Sequence, residues 1–83
     1  MKISIRVTYD TKYAKEIAES IKVDNINLPQ GMIIETNYEK DKIIVNITME
    51  INEPRNILTL RNTIDEILQH ISAIEKTISQ LSH

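Results

Sequence analysis

Apolar and polar residues alternate without a break from Lys2 to Tyr9. Ile3, Ile5, Val7 and Tyr9 fall on one side, and Lys2, Ser4, Arg6 and Thr8 on the other. A period of two marks a strand with one buried face, so residues 2–9 are expected to form the first strand. The spacing then changes to threes and fours at Ala14, Ile17, Ala18 and Ile21. That stripe predicts a helix over residues 11–22, with Asp10 as its N-cap. Its small alanines would let it sit close to a sheet.

The run VDNINLPQG ends this helix, and Leu28-Pro29-Gln30-Gly31 has Pro and Gly where a type I turn prefers them. Period two returns over residues 31–38, with Met32, Ile34, Thr36 and Tyr38 inward, and over 43–51, with Ile43, Val45, Ile47, Met49 and Ile51 inward. Folding the chain back at EKDK sets Tyr38 against Ile43, Thr36 against Val45 and Ile34 against Ile47. Inward residues then meet inward residues throughout, which predicts a hairpin. The third strand is the most apolar and suits the centre, giving sheet order 1-3-2, all antiparallel.

Asn52-Glu53-Pro54 opens a final helix running to about residue 81, with Pro in the first turn. It would extend roughly 42 Å at 1.5 Å per residue. A strand of eight or nine residues spans only about 30 Å. The helix carries an unbroken two-position heptad: Ile57, Ile64, Ile71 and Ile78, with Leu60, Ile67, Ile74 and Leu81. Leu58 and Leu68 widen the stripe in the first half, which is expected to cover the domain's own sheet. From Ile71 onward fewer elements remain to cover it. Burial of each such side chain is worth roughly 1.5–3 kcal/mol, so an uncovered half predicts contact with helices of another chain.

The expected architecture is therefore α+β, in the order β-α-β-β-α: a three-stranded antiparallel sheet covered on one face by two helices. The 83 residues make a single KH-like domain over 1–83. So short a chain buries a thin core and needs good packing or a partner. Cysteine is absent, which excludes disulfides and thiolate metal sites. The net charge of −2 comes without a basic stripe, against autonomous tight binding of nucleic acid. The N-terminal alternation is not a signal peptide and no segment is long enough to span a bilayer, so a cytoplasmic location is expected.

Candidate chemistry is sparse. His70 and His83 fall in no metal-ligand spacing, and His70 lies four residues after Glu66, as in a surface helix pair. Gly31 is the only glycine, so no phosphate-cradling loop exists. Asp65 and Glu66 are adjacent on a helix, point in different directions and make no catalytic dyad. Neither a catalytic residue, a metal nor a cofactor is expected. The polar sheet face carries two apolar residues, Ile33 and Ile44, placed where water would be.

The stretch LRNTIDEILQHISAIEKTI, Leu60 to Ile78, resembles the C-terminal motif of the Pcc family, the small dimerising subunit of the KEOPS complex. The matching positions are Leu60, Arg61, Ile64, Ile67, Leu68, Ile71, Ile74, Thr77 and Ile78. The segment EIAESIKVDN is similar to the family's first helix and following turn, with Asp24 and Asn25 matching. Val23 stands where the family often has Pro, and Asp65-Glu66 where many members carry Asn or Ser. These departures leave open both the standard subunit and a diverged paralogue that pairs with it.

The resemblance implies a non-catalytic dimerisation and scaffold role. The partners would be a second copy or a paralogue and the catalytic ATPase-like subunit, with tRNA only within the complex and no membrane. The complex threonylcarbamoylates the adenosine beside the anticodon. On this reading Leu60, Arg61, Ile64, Ile67, Leu68, Ile71, Ile74 and Ile78 bind partners. Two rival readings are a stand-alone RNA-binding KH-like module and a small ligand-binding regulatory domain. The first would need a glycine-rich clamp or stacking aromatics, and the chain has one glycine and three tyrosines.

Overall fold

A computed structural model describes residues 1–24 and 28–81, with side chains for all of these except 22–24. The element order is β1 (Lys2–Asp10), α1 (Ala14–Asp24), β2 (Met32–Glu39), β3 (Lys42–Glu50) and α2 (Pro54–Leu81). The strands form one antiparallel sheet in the order β1-β3-β2. The β2–β3 register sets Tyr38 against Ile43, Thr36 against Val45 and Ile34 against Ile47, as the alternation requires. A one-residue slip would turn the apolar side of β3 to water.

The core lies between this sheet and the two helices. Ile43, Val45, Ile47 and Met49 of the central strand, Ala14, Ile17, Ala18 and Ile21 of α1, and Leu60 and Ile71 of α2 are all buried. The alanines let α1 sit down on β2 and β3. The inward residues of β1, Ile3, Ile5, Val7 and Tyr9, are only half-buried. An edge strand lacks a neighbour on one side, and α1 lies toward the opposite edge.

Three local features differ from the sequence reading. The start of α1 is later than expected because Asp10 continues the ladder, paired with Lys42, and the Thr11 N–H donates to the Asp41 carbonyl at 2.9 Å. The hydroxyl of buried Thr11, not Asp10, then accepts from the Tyr13 N–H at 3.2 Å. The turn before β2 closes one residue further on, with the Met32 N–H donating to the Pro29 carbonyl at 3.2 Å. That places Gly31, at φ 81°, where a type II turn needs a left-handed residue. Ile44, expected in water, is buried, because on the central strand Thr8 and Asn37 flank it on both sides. Asn25 and His83 lie outside the described residues, as does the side chain of Asp24.

At the start of α2 the Asn56 side-chain oxygen accepts from the backbone N–H groups of Asn52 and Glu53, at 2.9 and 3.0 Å. These bonds fix the entry angle from β3 into a helix of 28 residues. The molecule measures 47 × 19 × 18 Å, its length set by α2.

Candidate functional site

The long helix shows its apolar surface in an unexpected order. Leu60 and Ile71 are 4% and 0% exposed, enclosed by the chain's own core. Of the eight expected partner residues, these two lie inside the chain's own core. Ile64, Ile67, Ile74 and Ile78 are half-buried against the same core, Leu68 is half-buried and Arg61 is exposed. The second half of the helix is thus covered much more than its spacing suggested. The bare apolar side chains lie at its two ends, with Ile57 and Leu58 at 50% and 59% exposure and Leu81 at 80%.

Successive residues of a helix turn by 100°, which separates two flanks of α2. One carries Thr59, Thr63, Glu66, Ile67 and His70. With Ile21, Leu28, Pro29 and Ile34 they line a groove of about 410 Å³ on the side of α1 and β2. The same flank continues past His70 to Ala73, Ile74, Thr77 and Ile78. The other flank carries Ile57, Arg61, Ile64, Leu68, Ser72 and Glu75. It faces β1, as the hydrogen bond from the Tyr9 hydroxyl to Glu75 at 3.0 Å establishes.

Beneath that second flank runs the free edge of β1. In an antiparallel ladder, alternate residues turn both backbone groups to the same neighbour. Ile51 N–H donates to the Met1 carbonyl at 2.6 Å, and Thr11 N–H donates to the Asp41 carbonyl at 2.9 Å. The odd-numbered residues of β1 therefore bond to β3. The even-numbered ones, Lys2, Ser4, Arg6, Thr8 and Asp10, turn their N–H and C=O groups outward. A nine-residue strand with an open edge is a template for another strand. Above this edge lie the half-buried Ile3, Ile5 and Val7 and the apolar side chains of the α2 flank. The alternation of β1 was plain in the sequence. Its edge position followed from the expected order 1-3-2, which the sheet adopts, and the observed register adds which of its residues turn their backbone groups outward.

Among the described residues, groups with reactive chemistry are not gathered at one place. Among the described residues no three His, Cys, Asp or Glu side chains stand close enough to hold a metal ion. Tyr9 is tied to Glu75, whose hydrogen bond, with burial and the carboxylate charge adding to it, raises the phenol above its ordinary pKa of 10.0. That contact pins the far half of α2 to β1. No helix among the described residues is long and apolar enough to cross a membrane.

A protein-family model described as transcription factor Pcc1 matches residues 2–79, nearly the whole chain. No curated protein and no solved structure matches it.

Proposed function

The chain belongs to the Pcc1 family, the KEOPS subunit family, and on that premise we propose that it is a dimerising, non-catalytic scaffold subunit of that complex. The observation that carries this reading is the pairing of an open β1 edge with the partly exposed Ile57, Ile64 and Leu68 on the α2 flank above it. In the proposed dimer β1 pairs with β1 of a second copy about a two-fold axis, making one six-stranded sheet with the two α2 helices side by side above it. Symmetry about Arg6 sets Lys2 against the partner's Asp10, Ile3 against Tyr9, Ser4 against Thr8 and Ile5 against Val7. Every inward pair is apolar and each terminal pair is oppositely charged. The even-numbered residues, whose backbone groups face outward, are the ones that meet. Shifting the axis by one residue in either direction leaves Lys2 or Asp10 unpaired.

Ile57, Arg61, Ile64 and Leu68 would then meet the partner's α2. The opposite flank, with Ile67, Ile74 and Ile78 beside the groove, is left for the catalytic ATPase-like subunit. Each protomer would carry one copy of that subunit, and the assembly would support threonylcarbamoylation of the adenosine beside the tRNA anticodon. Tyr9, Glu75 and the buried Leu60 and Ile71 hold α2 in place for both contacts.

Light scattering of the purified chain tests the pairing, and a dimer is expected. Thr8→Pro removes an outward N–H at the edge, where proline is tolerated, and is expected to give a folded monomer. Co-purification with the ATPase-like subunit should survive that change, because docking uses the other flank. A wild-type chain that is monomeric at every concentration would refute the dimer, and failure to capture the ATPase-like subunit would refute the docking role.

A further inference from the structure

Resting on the dimer proposed above, we infer that pairing two β1 strands creates a binding site for a phosphate group on the open face of the sheet, built from Arg6 of both copies. Arg6 is exposed, points to the face that carries no helix, and makes no ion pair among the described residues. The same register that joins Lys2 to the partner's Asp10 sets Arg6 directly opposite the partner's Arg6. Residues opposed in this way lie about 5.5 Å apart at their Cα atoms. Two like charges at that separation oppose pairing unless something neutralises them.

The surroundings favour an oxyanion as that neutraliser. The positions flanking each Arg6 on this face are Ser4 and Thr8, so two guanidinium groups stand among four hydroxyls. The Ser4 hydroxyl already lies 3.3 Å from that of Thr48, leaving further hydrogen-bonding capacity toward the axis. The carboxylates of this face stand further off. Glu35 shares the Arg6 row, but Asn46 of β3 lies between them. Asp10 is four residues along the strand, opposite the partner's Lys2. Arginine presents a planar fork of donors that matches phosphate oxygens, and two forks facing one another can hold one tetrahedral dianion. The half-site in a single chain is one exposed arginine, so the site forms only in the dimer, and the ligand and the pairing strengthen each other.

Sedimentation equilibrium in chloride and in inorganic phosphate, at equal ionic strength and pH, tests the inference. Phosphate is expected to tighten the wild-type dimer about tenfold, equivalent to ~1.4 kcal/mol. Arg6→Gln is expected to remain a dimer, to pair more tightly than wild type in chloride, and to lose the phosphate effect. Arg6→Lys keeps the charge without the fork and is expected to retain only part of it. A parallel run with a short single-stranded RNA oligonucleotide separates the sources. Tightening by both ligands shows that a backbone phosphodiester is accepted, and tightening by phosphate alone restricts the site to the free dianion. A wild-type dimer indifferent to both ligands, or a phosphate effect that survives in Arg6→Gln, overturns the site and leaves the pairing standing. A monomer under all conditions overturns both.

Discussion

Thr36 faces the helices from β2 with its hydroxyl oxygen buried and without a hydrogen-bond partner. A hydroxyl left unsatisfied in a core costs about 1–3 kcal/mol. Thr36→Val keeps the shape and removes the stranded group, so it is expected to raise the unfolding free energy by about 1 kcal/mol in a urea titration. Tyr9 is the opposite case, since its hydroxyl is satisfied by Glu75 across 66 positions of sequence. Because that bond raises the phenol's pKa above 10.0, the folded protein keeps the proton where the unfolded chain begins to release it. The stabilisation is complete below about pH 10 and is lost as the pH rises through the higher folded value. Tyr9→Phe is expected to cost about 1 kcal/mol at neutral pH and to flatten that alkaline loss. Alternation showed both residues as inward-facing. It carried no sign of which hydroxyl finds a partner, because that depends on how far α2 reaches along β1.

The elements themselves were legible where one physical signal dominated. A period of two with matching inward residues determined the β2–β3 register, and the apolar character of β3 put it at the centre. Boundaries moved where two signals competed, as at Asp10, whose capping tendency lost to the ladder pairing with Lys42. In α2 the heptad was real but silent about direction. A stripe of evenly spaced isoleucines looks the same whether it covers its own sheet or another chain. The fold encloses Ile71 in the core and leaves Leu58, which lies outside the heptad, in water. Ile71→Ala is therefore expected to cost about 2–5 kcal/mol, a core deletion that destabilises the protomer at any concentration. Leu58→Ser, on the outer surface of the same helix, is expected to stay within about 0.5 kcal/mol of wild type. Equal effects of the two changes in chemical denaturation would contradict this description of how α2 is seated.

At the scale of the whole molecule, the sheet is closed on one face and open at its β1 edge. The small core of an 83-residue chain leaves little stability to spare. If β1 joins a second copy, folding and association become linked, and the melting temperature must depend on protein concentration. A hundredfold rise in concentration adds about 2.7 kcal/mol per dimer, or about 1.4 per protomer. For a domain of this size that corresponds to a shift of roughly 5–10 °C, readable by calorimetry. Thr8→Pro, which blocks the edge without touching the core, is expected to melt at a temperature independent of concentration. A wild-type melting temperature equally indifferent to concentration would mean that the edge stays open in solution. The partly exposed flank of α2 above β1 would then have to be covered by a different chain, and the six-stranded sheet would be given up.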